Sequence, residues 1–208
     1  MSTSPNNELG PASFTAELNL WQVWNKARRI PTSGFNLWAT VAVFAFVATT
    51  TFFSSHDAVA LIGSVRELAQ FGFNAAVTVL GFLVAGFTIF ASVSNPNMLI
   101  EMGSLQHPKS GLSWMKHSFF VLLRAFIYYI IYAAICFFVV YLGVAKGPIS
   151  FLLNLTPHPD EYALCLAKVT YVVLVVGQFF LLMQLKSFIF NVYSGVVANL
   201  RYKAENGY

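Results

Sequence analysis

Four mostly apolar stretches, about Phe35 to Phe53, Phe71 to Val93, Phe119 to Val144 and Ala167 to Leu185, are each long enough to cross a hydrocarbon core as a helix. No soluble domain of this size could bury four such segments. Charged residues make up 10% of the chain, against about 25% in soluble domains, so the composition agrees. A transmembrane β-barrel would show short segments of alternating polarity, whereas these run apolar on both parities. The expected fold is an all-α integral membrane protein with four transmembrane helices.

Residues 1–34 hold a polar tail, then FTAELNLWQVWNKARRI, where Phe14, Leu18, Trp21 and Trp24 share a helical face and Lys26, Arg28 and Arg29 close the segment. That pattern predicts an N-terminal interfacial amphipathic helix, its Trp and basic residues meeting either lipid headgroups or a partner. So long a polar lead also makes a cleaved signal unexpected. Of the twelve Lys and Arg, all but Arg66, Lys146 and Lys168 fall on the side of the N-terminus, which predicts cytoplasmic termini and a cytoplasmic middle loop. The remaining organisation is then a four-helix transmembrane domain over 35–190 and, over 191–208, a cytoplasmic extension of the last helix, a handle for a partner.

Between the spans, Asp57 is placed to cap a short external helix through Val65, and a small helix fits around Met98 to Leu105. Phe151, Leu152, Leu153 and Leu155 are too few to span and too apolar for free solvent, so they should be buried against either the bilayer surface or an adjacent subunit.

Within the second stretch, Asn74, Thr78, Gly81, Ala85, Thr88, Ser92 and Asn95 follow one another at steps of four or three and share one helical face. Membrane helices associate through small residues that admit close backbone approach and through Ser, Thr and Asn hydrogen bonds. The stripe is therefore read first as a packing seam, within one bundle or between copies, and second as the lining of an axial pore. It lacks the ring of charge expected of a cation or anion filter, and Gly and Ala serve contact better than conduction.

The parts of an enzyme are sparse. No Asp, Glu or His falls inside the four stretches, and His56, His107, His117 and His158 are spread over three loops without ligand spacing, as surface histidines are. Cys136 and Cys165 lie at different depths, which argues against a disulfide. No catalytic residue, metal ligand or cofactor is expected. Arg124 is the one charge that sits within an apolar run on the cytoplasmic side, in line with Tyr128 and Tyr132. It either snorkels to the headgroups or is paired inside the bundle. Gln178 and Gln184 are further intramembrane polar groups that need partners.

With its WQVW and KARR leader, four spans and TVLGFLVAGFTIFAS second helix, the whole chain resembles the KwaA family, the membrane subunits of the two-component Kiwa anti-phage systems of bacteria. The resemblance implies a homo-oligomer of the inner membrane, a tetramer by this likeness, that senses phage at the envelope. It further implies a cytosolic, DNA-binding partner subunit resembling KwaB, with no nucleic acid bound by the membrane chain itself. It assigns no role to any single residue. The residues alone favour the same class, a non-enzymatic sensor or scaffold, and leave open an ion channel or pore-forming effector.

Overall fold

The computed structural model describes residues 15–55, 57–108, 110–144 and 146–207. They form seven helices and no strand: α1 Leu20–Ala27, α2 Gly34–Phe53, α3 Ala58–Val93, α4 Pro96–Ser104, α5 Trp114–Leu142, α6 Pro148–Leu153 and α7 Pro159–Asn206. Four of these, α2, α3, α5 and α7, are long and apolar enough to cross a membrane. Their outward faces carry large apolar side chains such as Trp38, Phe46, Phe82, Phe138 and Phe190, as lipid contact requires.

Local chemistry sets most of the ends. Asn19 caps α1 by accepting from the Gln22 N–H at 2.9 Å, and Ser113 caps α5 by accepting from the Lys116 N–H at 3.2 Å. Asp57 accepts from the Ala60 N–H at 3.2 Å, as its position foretold. No separate external helix follows it, however. The turn from Ala58 runs straight on into the second span, because Gly63 and Gly72 lower helix propensity without ending a helix. Proline opens α4, α6 and α7, where its missing N–H costs nothing. The last helix is a single rod of 48 residues, about 70 Å long against a hydrocarbon core of about 30 Å, and it takes in residues 191–206 without a break.

The chain divides into two compact units. Among the described residues, one holds 15–31, Phe82–Ile127 and 185–207; the other holds Thr32–Gly81 and Tyr128–Gln184. In the first, Ala27 and Ile30 at the end of α1 pack on Phe120, with Val23 and Leu123 around them. Edge-to-face contacts among Phe87, Phe119, Phe126 and Phe188 continue that core. In the second, α2 buries Asn36, Val47 and Thr51, half-buries Ala39, Thr40, Val43 and Ala48, and leaves the rest of its surface exposed.

Candidate functional site

Ala69, Gly72, Ala76, Leu83 and Phe90 are the buried line of α3. Each central stripe residue stands two positions away from it: Thr78 from Ala76, Gly81 from Leu83, Thr88 and Ser92 from Phe90. Two helical steps turn about 200°, so the stripe lies on the opposite side of the rod. Asn74, Thr78, Gly81, Ala85, Thr88 and Ser92 are accordingly all exposed, and a Cβ added at Gly81 would meet nothing within 4 Å. The seam expected from the sequence is thus not a contact among the described residues at those six positions. Packing within the chain uses the other small line instead, because Gly72 and Ala76 admit a neighbour closely while Leu83 and Phe90 fill the space between. Asn95 departs from the stripe: it is half-buried, and its side-chain oxygen caps α4 by accepting from the Asn97 N–H at 2.9 Å.

In the first unit, charge and amides make the long-range ties. Arg124 is 5% exposed and donates from Nη1 to the Ile30 carbonyl at 2.6 Å and, more weakly, to that of Ala27 at 3.4 Å. Those carbonyls follow the last turn of α1, where a helix leaves its acceptors unmatched, so a guanidinium fits there by charge and by hydrogen bonding. Glu17 receives Lys26 at 2.7 Å and also receives Lys116, which is itself buried. Burial works against ionising Glu17, yet the hydrogen bonds and charge of the two lysines outweigh it and hold the carboxyl below its ordinary value of 4.5. Asn199 is 1% exposed; it donates to the Val93 carbonyl at 2.8 Å and accepts from the Asn95 N–H at 3.1 Å, which ties the distal part of α7 to the junction of α3 and α4.

Two histidines expected on the surface are brought together there. The His107 N–H donates to the Leu112 carbonyl at 2.7 Å across a tight turn in which Gly111 takes a φ of +67°. That turn buries His107 and stacks its ring on His117, centroids 3.9 Å apart and nearly parallel. Trp114 meets His107 on edge, and His117 shares a hydrogen bond with the Ser110 hydroxyl at 3.0 Å.

The second unit is held by close contact. Tyr132 is buried and donates to the Leu174 carbonyl at 3.0 Å; Tyr129 does the same to that of Leu181 at 3.1 Å. Glycines make room for Tyr132. A Cβ at Gly72 would stand 2.8 Å from its hydroxyl, and one at Gly177 would stand 2.7 Å from its ring carbon Cε2. Asn36 donates to the Met183 carbonyl at 3.1 Å, and Lys168 reaches the last carbonyls of α2, those of Phe52 and Ser54, at 3.4 Å each. Tyr128 is half-buried with its ring on the edge of Phe180, Gln184 is buried, and Gln178 is half-buried with its side-chain oxygen unmatched among the described residues.

At the N-terminal segment, Phe14 lies outside the described residues. Leu18, Trp21, Lys26, Arg28 and Arg29 are exposed and Trp24 is half-buried; the face that α1 turns inward is Val23 and Ala27. Among the described residues no three His, Cys, Asp or Glu are grouped to hold a metal ion, and Cys136 and Cys165 are both free thiols. Glu17, Asn36, Lys116 and Asn199 escaped sequence reasoning. A lone amide on an otherwise apolar helix is a signal that could have marked Asn36 and Asn199, since such a group must find a partner. The chain matches no protein-family model, no curated protein and no solved structure.

Proposed function

We propose that this chain is a non-enzymatic, homo-oligomeric sensor and scaffold of the bacterial inner membrane, with both termini cytoplasmic, that registers phage at the envelope and relays the event to a cytosolic DNA-binding partner. The observation that carries the oligomer is the outward stripe of α3. Asn74, Thr78, Gly81, Ala85, Thr88 and Ser92 are aligned on a face that none of the described residues covers. A helix that faced only lipid would have no use for small and polar residues in register, whereas a second copy would. The likeness to the KwaA membrane subunits supplies the antiviral setting and the tetramer.

The relay rests on Asn199. Through it the distal part of α7 and the start of the middle loop share hydrogen bonds, so a shift in one displaces the other. These two segments form the handle offered to the partner. Lipid contacts the remaining faces, and Trp21, Trp24, Lys26, Arg28 and Arg29 meet the membrane surface.

Truncation after Tyr193 tests the relay. The truncated chain should keep its oligomer and lose both the co-purifying soluble partner and protection against phage in a plaque assay. Intact protection would refute the route. Ion flux through purified protein in liposomes, abolished by Gly81→Leu, would instead establish a pore.

A further inference from the structure

In the second unit, α3, the end of α5, α6 and α7 line a half-open cavity of about 170 Å³. Its wall is mostly apolar, with Ile62, Val65, Val139, Leu153 and Leu166 among the lining residues, and it carries one charge, Arg66. An apolar space of about 150 Å³ is large enough to accept hydrocarbon, so this one has room for part of an acyl chain.

Arg66 identifies the rest of the occupant. The guanidinium is half-buried and its Nε donates to the Gly143 carbonyl at 2.7 Å, which fixes its orientation. No carboxylate among the described residues lies within ion-pair distance of it. A guanidinium has five N–H donors, and a phosphate matches the pair on its terminal nitrogens. Holding such a cation partly out of water with no counter-charge is unfavourable, and an anion at the cavity mouth removes that cost. Lys146, exposed on the short loop between Gly143 and α6, adds a second positive charge to the same region.

Position names the source. The cavity lies where α5 ends, at Leu142, and therefore at the edge of an apolar helix long enough to span. Beside it, α6 directs Ile149 and Leu153 to the cavity and leaves Phe151, Leu152 and the following Leu155 exposed, the composition of a helix lying in a lipid surface. We infer that this cavity binds an anionic glycerophospholipid, one acyl chain entering between α3, α6 and α7 and the phosphate resting on Arg66.

Native mass spectrometry of the full chain, stripped of lipid in a non-ionic detergent and titrated with palmitoyl-oleoyl phosphatidylglycerol or the corresponding phosphatidylcholine, tests the assignment. One phosphatidylglycerol per protomer should bind in preference to phosphatidylcholine. Arg66→Gln should weaken phosphatidylglycerol by about tenfold, the value of one charge-assisted hydrogen bond, while Arg66→Lys keeps most of the preference. Ala163→Phe, which fills the cavity from α7, should abolish the adduct at an unchanged thermal midpoint. Equal binding of the two lipids, no effect of Arg66→Gln, or a folded Ala163→Phe that still binds would overturn the inference.

Discussion

The two units of this protein solve the same problem, holding long apolar helices in one arrangement, by different means. Around Arg124 and Glu17 the ties are made by charged side chains and reach far along the chain: Arg124 donates to a carbonyl 94 positions away and Lys116 pairs with a carboxylate 99 positions away. Around Tyr132 the ties are steric, a ring wedged where Gly72 and Gly177 leave space, with its hydroxyl on a helix carbonyl. The ionic ties fasten a short, marginal helix, which eight residues of α1 could not sustain alone. The steric ties fasten long helices that are stable in a membrane by themselves and need only a register. A unit pinned by charge responds to pH and to neutralising substitutions; one pinned by contact responds to volume.

The largest effect should come from breaking the ionic side. Glu17→Ala leaves Lys116 buried without its counter-charge, at a cost of about 3 to 5 kcal/mol. Hydrogen exchange should then rise over residues 15–31 and leave the Tyr132 region protected. Equal loss of protection in both units would erase the distinction.

A smaller effect, about 1 to 3 kcal/mol in each case, is expected from volume on the steric side, with Gly72→Ala or Gly177→Ala read as lowered thermal midpoints. The two differ in what they strike. Removing the hydroxyl with Tyr132→Phe should lessen the penalty of Gly72→Ala, whose nearest obstacle is that hydroxyl, and should leave Gly177→Ala as costly, since it meets the ring. Rescue of both would place the ring elsewhere.

Acid should act on the charged side through Glu17. Because folding holds the Glu17 carboxyl below 4.5, its ionised form contributes stability that is fully present above that pH and is lost as pH falls through the lowered value. Protection of residues 15–31 should therefore decline below about pH 4.5 in the native chain, and Glu17→Gln should flatten that decline. A decline unchanged by Glu17→Gln would assign it to another carboxylate. The smallest effect belongs to Trp21→Ala, within about 0.5 kcal/mol, since the ring is 68% exposed; it should leave the thermal midpoint where it was.

The four long apolar helices were legible because apolar length is a local property. What a sequence does not state is which face of a helix its own chain will cover. On α3 the stripe through Gly81 and the line through Ala76, Leu83 and Phe90 both repeat at helical spacing, and only the folded neighbours choose between them. Arg124 was visible as an anomaly, but its acceptors are backbone carbonyls, which carry no letter in a sequence. Glu17 looked like one more polar residue of an amphipathic segment until Lys116 was folded against it. His107 and His117 form a stacked pair through the turn at Gly111, and nothing in the sequence shows that the two rings would meet.

The central claim is that the outward face of α3 joins copies of the chain. Its most direct test is the native mass of the wild-type protein and of Gly81→Leu, each extracted gently and measured alongside its thermal midpoint. Since a Cβ added at Gly81 meets none of the described residues within 4 Å, the substitution should leave each protomer folded. A discrete oligomer that falls to protomers on Gly81→Leu with its helices intact is the expected result. A wild-type monomer, or an oligomer indifferent to Gly81→Leu, would contradict it.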